Sequence, residues 1–201
     1  MRVGVLVSGE GTNLQALLDD EAIDVTSVAA NRPEARGLER ARSAGIETAV
    51  FSASDYPDRD ARDEALAEWL ESRDTELVVL AGFMEILGPG FIRRFPERIV
   101  NVHPALLPAF AGVRAIERAL EHGVKVLGVT VHFVDEGVDS GPIILQEAFD
   151  LPYPRDIEVI EEQVHRIEHR LLPRAVRLIA AGAVSIDPDN SRLVVIDGQA
   201  G

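Results

Sequence analysis

The chain has 201 residues, 46% of them hydrophobic and 27% charged, with a formal net charge of −14 at pH 7. That apolar fraction fills one sizeable core, which excludes disorder and repeat arrays, and the acidic excess repels phosphate backbones and anionic membrane surfaces. Cysteine is absent, removing any disulfide scaffold, thiolate nucleophile or cysteine-type zinc site.

In chain order, Arg2 to Val7 reads as a strand, Ser8 to Asn13 as a glycine loop, and Leu14, Leu17 and Leu18 as the apolar face of a helix. Further strands are predicted over 25–30, 48–51 and 77–81. Helices are predicted near 34–44 and 60–72, the second with Ala65, Leu66, Trp69 and Leu70 on one side. Strands and helices that alternate, with continuously apolar strands, predict an α/β fold: a Rossmann-like, doubly wound, mostly parallel sheet with helices on both faces, in a single domain. Val3 to Val7 is too short for a signal h-region, and the apolar window Leu77 to Met84 is far below the ~20 residues that cross a bilayer. The expected compartment is the cytoplasm.

Past Pro96, Ile99 to His103 is a strand candidate, Arg114 to His122 a helix ended by Gly123, and 124–134 and 142–149 two longer strands. The acidic, glycine-bearing link from Asp135 to Gly141 makes that pair either antiparallel or joined by a functional loop. Ile157, Ile160, Val164, Ile167 and Leu171 form an apolar stripe at helical period, predicting a long closing helix. A short strand is expected near Leu193 to Ile196.

Three groups of residues can carry chemistry. The Gly9 to Asn13 loop sits between first strand and first helix, where backbone N–H groups suit an anion. Leu14 stands where a dinucleotide motif has its third glycine, and no Gly-Lys-Ser/Thr is present, so a monophosphate fits better than a dinucleotide or triphosphate. A plain tight turn with Thr12 or Asn13 as helix N-cap is the alternative. Asn101 and His103 share one face of their strand, an amide beside an imidazole, able to stabilise an oxyanion in acyl transfer; a hydrogen-bonded structural histidine is the competing reading. Asp139, between Gly137 and Gly141, would raise the His103 pKa and take part in proton transfer if brought to it, whereas a solvated acidic turn explains Asp135, Glu136 and Asp139 equally well. His132, between Val131 and Phe133, reads as a core histidine or one supporting another site residue. Glu161, His165 and Glu168 make a polar helix edge that exposure alone explains. The five histidines form no metal set, and no metal is assigned.

Ser8 to Gln15, Ala81 to Met84, Asn101 to Pro108, Val131 to Val134, Val138 to Gln146 and Glu168-His169 together resemble the phosphoribosylglycinamide formyltransferases, the folate-dependent formyl-transfer family of purine synthesis. The resemblance runs from Arg2 to about Val184. It implies the formyltransferase fold, with 1–100 as the phosphate- and nucleotide-binding half and 101–201 as the catalytic and folate-binding half. It implies Asn101, His103 and Asp139 as the catalytic set, with Asn101 and protonated His103 holding the oxyanion. Gly11, Thr12 and Asn13 would take the ribonucleotide phosphate with His165 on the same side, and Glu168 the ribose. The folate would lie along Met84, Glu85, Ile86 and Leu87 and along Asp135, Glu136, Gly137 and Val138, with Arg59 near its glutamate tail. The co-substrate would be 10-formyltetrahydrofolate, the other substrate glycinamide ribonucleotide (GAR), with no metal, no nucleic acid and no membrane, in a monomer or homodimer. Three positions depart from the pattern: Glu85 replaces an arginine, Ile116 a histidine, and His165 a glutamine or lysine. Methionyl-tRNA formyltransferase and formyltetrahydrofolate deformylase share the catalytic core but carry extra domains for which 201 residues leave no room. A non-catalytic nucleotide-monophosphate sensor using only the glycine loop is the rival from another class.

Overall fold

The computed structural model describes residues 1–198. In the first half, β1 (Arg2–Val7), α1 (Thr12–Leu18), β2 (Asp24–Ala30), α2 (Arg36–Ser43), β3 (Glu47–Val50), α3 (Arg59–Glu71), β4 (Leu77–Leu80) and α4 (Pro89–Arg94) follow in turn. The second half brings β5 (Ile99–His103), α5 (Ala115–His122), β6 (Val126–Phe133), β7 (Ile143–Asp150), α6 (Ile157–Ala180), β8 (Val184–Asp187) and β9 (Asn190–Ile196). Seven strands form one sheet in the order β3-β2-β1-β4-β5-β6-β7, and β8 and β9 form a separate two-stranded ribbon.

Pairing is parallel between β1 and β2, β1 and β4, β2 and β3, and β4 and β5, and antiparallel between β6 and β7. The expected mostly parallel, doubly wound sheet is therefore present. Strand β1 lies where the order reverses, between β2 and β4, and Val3 and Val5 to Val7 are buried, as a strand covered on both faces requires. Loops at the carboxyl ends of strands flanking such a reversal are where open α/β sheets place ligands.

The chain forms two compact units, residues 1–101 and those from Val102 onward. The first buries Leu14, Leu17, Leu38, Leu66 and Leu70 from its helices against apolar strands. The second buries one stripe of α6, from Ile160 through Val164, Ile167 and Leu171 to Val176, while Ile157, expected at its head, is exposed in the first turn. The link between β6 and β7 makes an antiparallel pair, settling one of the two readings left open. Short α4 and β8 were not anticipated. Six and four residues are too few to show a period, and α4 is set by Gly88 at its N-cap and Pro89 at its first position.

Candidate active site

Strand β5 carries Asn101 and His103 on one face and ends at Pro104. His103 is 5% exposed. Its Nδ1 lies 3.2 Å from Asp139 Oδ2 and its Nε2 lies 3.0 Å from the Phe110 carbonyl oxygen. Thirty-six residues of sequence are thus closed into one contact. Asp139 Oδ2 also accepts from Gly112 N at 2.7 Å, and Asp139 Oδ1 lies 3.6 Å from His132 Nε2. His132 is fully buried, with its Nδ1 2.7 Å from the Phe133 carbonyl oxygen. The weaker of the two histidines in the sequence is therefore the second neighbour of the carboxylate. Its place on β6 directly before the acidic loop was the only local signal.

Electrostatics divide the pair. Burial disfavours the charged form of Asp139, but hydrogen bonds from His132 and from the Gly112 N–H, with the histidine charges, outweigh it and hold the carboxyl at about 2. For His103, burial is the largest influence and lowers the pKa below its ordinary value, although the Asp139 charge and the Phe110 carbonyl act to raise it. This corrects the expectation that the carboxylate would leave His103 with a raised pKa. The carboxylate acts in that direction and desolvation exceeds it.

The turn that follows His103 is pinned from below. Thr130 Oγ1, fully buried on β6, donates to the Ala105 carbonyl at 2.6 Å and accepts from Leu107 N at 3.1 Å and from Gln146 Nε2 at 2.9 Å. Gln146 Nε2 also donates to the Leu107 carbonyl. Left-handed backbone collects around the same carboxylate, at Phe110 (φ 56°), Gly112 (φ 85°), Arg114 (φ 56°) and Asp139 (φ 49°). Such conformations cost roughly 1–3 kcal/mol each for residues with a side chain and gather where function needs them. Gly141 closes the loop so tightly that a Cβ there would lie 1.9 Å from the Phe133 carbonyl oxygen. Asp135, first in that loop, accepts from Gly137 N and Ser140 Oγ, so it shapes the turn, while Val138 stays exposed. Glu136 is exposed, whereas Asp139 is no solvated turn residue, since it lies against two histidines and a backbone N–H.

In the first unit, Gly11 (φ 70°) is itself the N-cap of α1, with no side-chain cap, so neither Thr12 nor Asn13 plays that part. A Cβ at Gly11 would meet Gly37 Cα at 2.6 Å, which is why α2 can pack there. Arginines brace the loop: Arg32 Nε donates to the Ser8 carbonyl, Arg40 Nε to the Glu10 carbonyl at 2.8 Å, and Arg36 pairs with Glu10 at 2.9 Å. Ser8 joins this loop to the segment after β4, since Ser8 N donates to the Gly82 carbonyl and Met84 N donates to Ser8 Oγ.

That segment alternates. Met84 and Ile86 are 74% and 63% exposed, Leu87 is buried, and Glu85 turns its carboxylate inward to Arg62 Nη1 at 2.8 Å and Asn31 Nδ2 at 3.1 Å. Hydrogen bonds from Asn31 and Arg62 hold Glu85 below the usual carboxylate range. Arg59, at the start of α3, flanks Gly88 at the far end of the segment. On α6, His165 is exposed as expected, but Glu168 is 6% exposed, so the supposed polar edge turns into the fold at that residue. Among the described residues no group of three or more histidine or acidic side chains is arranged to hold a metal ion, and no helix is long and apolar enough to cross a membrane.

A buried imidazole on a strand end, oriented by an ionised carboxylate and preceded on the same face by an amide, is the equipment of an acyl-type transferase. The chain belongs to the formyl transferase family, whose pattern matches residues 1–176. It is 36% identical over 181 residues to a phosphoribosylglycinamide formyltransferase of Bacillus subtilis, covering 88% of this chain and 93% of that protein. It is 44% identical over 197 residues to the trifunctional purine biosynthetic protein adenosine-3 of Bos taurus, covering 96% of this chain but only 19% of that much longer protein. The glycinamide ribonucleotide transformylase 1 structure from Symbiobacterium toebii superposes with a TM-score of 0.93 at 47% identity, over 98% of this chain and 93% of that one. The family resemblance read from the motifs is borne out.

Proposed function

We propose that this formyltransferase moves the formyl group of 10-formyltetrahydrofolate to the amine of glycinamide ribonucleotide, as a cytoplasmic step of purine synthesis. The observation that carries the reading is the 3.2 Å approach of His103 Nδ1 to Asp139 Oδ2, two residues beyond Asn101 on β5. The amine attacks the formyl carbon, forming the new C–N bond and pushing electrons onto the formyl oxygen. The Asn101 amide stabilises that oxyanion, as pre-placed donors do in other acyl transfers. His103, kept neutral at pH 7 by burial, accepts the proton that the attacking nitrogen sheds, and the adjacent Asp139 charge stabilises the imidazolium formed. The imidazolium joins Asn101 in holding the oxyanion, then returns the proton as the bond to folate N10 breaks. The products are formyl-GAR and tetrahydrofolate.

In this reading Gly11, Thr12 and Asn13 hold the ribonucleotide phosphate with His165 beside it, and Glu168 takes the ribose. Backbone groups along Met84 to Leu87 and Asp135 to Val138 hold the folate, with Arg59 toward its glutamate tail. The three arginines that brace the glycine loop support the phosphate assignment. Steady-state turnover with both substrates, followed by the absorbance of the folate product, tests the assignment. His103→Ala should lower turnover more than ~100-fold while circular dichroism stays native. Turnover near that of the unmodified protein would refute the role.

A further inference from the structure

Arg62 carries its guanidinium at 2% exposure, a place that desolvation makes costly unless every donor is matched. Its Nε and Nη2 donate to Asp63 Oδ1 at 3.0 and 2.7 Å, and its Nη1 donates to Glu85 Oε2 at 2.8 Å. The remaining oxygens are occupied too: Glu85 Oε1 accepts from Asn31 and Asp63 Oδ2 accepts from Gly88 N at 2.6 Å. With Met84 N on Ser8 Oγ, the segment 84–88 is held at its start, middle and end by side chains from three other parts of the first unit. Well-packed apolar residues in place of buried ion pairs are often neutral or stabilising, so such a cluster is weak evidence of a purely stabilising role. What directional, charge-assisted bonds supply and apolar contacts do not is one defined backbone course.

We propose that Arg62 and Glu85 are positioning residues for the folate co-substrate, fixing the course of residues 84–87 so that Met84, Ile86 and the intervening peptide groups are presented in their binding arrangement. The proposal rests on the reading of that segment as a folate site. Glu85 is half-buried, with both carboxylate oxygens engaged by Arg62 and Asn31, so it acts through the segment it holds. With Glu85 held by Arg62 and Asn31 and Leu87 buried, Met84 and Ile86 are the residues of this segment left exposed. A segment already held in its bound form loses less freedom on binding, which strengthens binding with no contact added.

The test compares unmodified protein with Glu85→Ala, Glu85→Gln and Asn31→Ala, measuring KM for each substrate, kcat, and tetrahydrofolate binding by equilibrium dialysis. Glu85→Ala should raise the KM for 10-formyltetrahydrofolate and the tetrahydrofolate Kd together by roughly tenfold, with the KM for GAR within about twofold and kcat within about threefold. Glu85→Gln, which keeps an acceptor for Arg62, should recover most of that loss. Asn31→Ala leaves the ion pair in place and should give a smaller rise, about threefold, so the idea stays testable even if Glu85→Ala folds poorly. An unchanged folate KM, or equal rises for both substrates with falling kcat, overturns the proposal while leaving the formyltransferase reading intact. Unmodified protein that binds no tetrahydrofolate and transfers no formyl group removes that reading and the proposal with it.

Discussion

Asp139 is charged where burial alone would neutralise it, and its surroundings decide the outcome. Held at about 2 against an ordinary 3.8, the group contributes on the order of 2 kcal/mol at neutral pH. A folded-state pKa below the unfolded one means stability present above about pH 4 and lost as pH falls toward 2. Acid unfolding of Asp139→Asn should therefore be shallower across that window than that of the unmodified protein, measured by fluorescence at graded pH. His103 is lowered as well, so its neutral form contributes stability above pH 6.5 that declines on acidification. Asn at position 139 removes an influence that raises the His103 pKa. The acid limb of kcat/KM should then move to lower pH, and turnover should fall by more than ~100-fold with the orienting charge gone. A limb that stays in place in the variant would show that His103 does not titrate with Asp139 as its neighbour.

At the scale of elements, the turn after β5 depends on one hydroxyl of β6. Thr130 Oγ1 satisfies a carbonyl and an amide N–H in the interior and, at its edge, the amide of the exposed Gln146. Thr130→Val is nearly isosteric but strands the buried Ala105 carbonyl and Leu107 N–H, and a stranded buried polar group costs about 1–3 kcal/mol. Urea denaturation should show a loss in that range, with a lower kcat because the turn beginning at His103 is loosened. A loss under half a kilocalorie would mean that water replaces the hydroxyl. The loop between β6 and β7 is equally constrained, since Gly141 admits no side chain against the Phe133 carbonyl. That loop therefore places Asp139 by geometry as much as by charge.

The whole molecule carries 34 acidic side chains against 20 basic ones. Self-repulsion at that imbalance opposes compaction, and salt shortens its reach from roughly 30 Å at 0.01 M to 3 Å at 1 M. The thermal midpoint should rise as sodium chloride is raised across this range, read by calorimetry. Exposed pairs such as Arg36 with Glu10 lose attraction over the same range but contribute little individually. A midpoint that falls with salt would show that local pairs outweigh the net charge.

Whatever depends on neighbours in sequence was legible from the residues alone: the alternation of strand and helix, the glycine loop after β1, the shared face of Asn101 and His103, and the stripe of α6. Backbone period and turn chemistry act over a few residues, so the chain displays them directly. The tertiary structure alone decided which distant groups meet. It turned Glu168 inward from an edge that looked polar, paired His132 with Asp139, lowered the His103 pKa by burial where a neighbouring charge argued for raising it, and set Arg62 against Glu85. Each of those outcomes depends on desolvation and on contacts between positions far apart in the chain, quantities that exist only once the chain has packed.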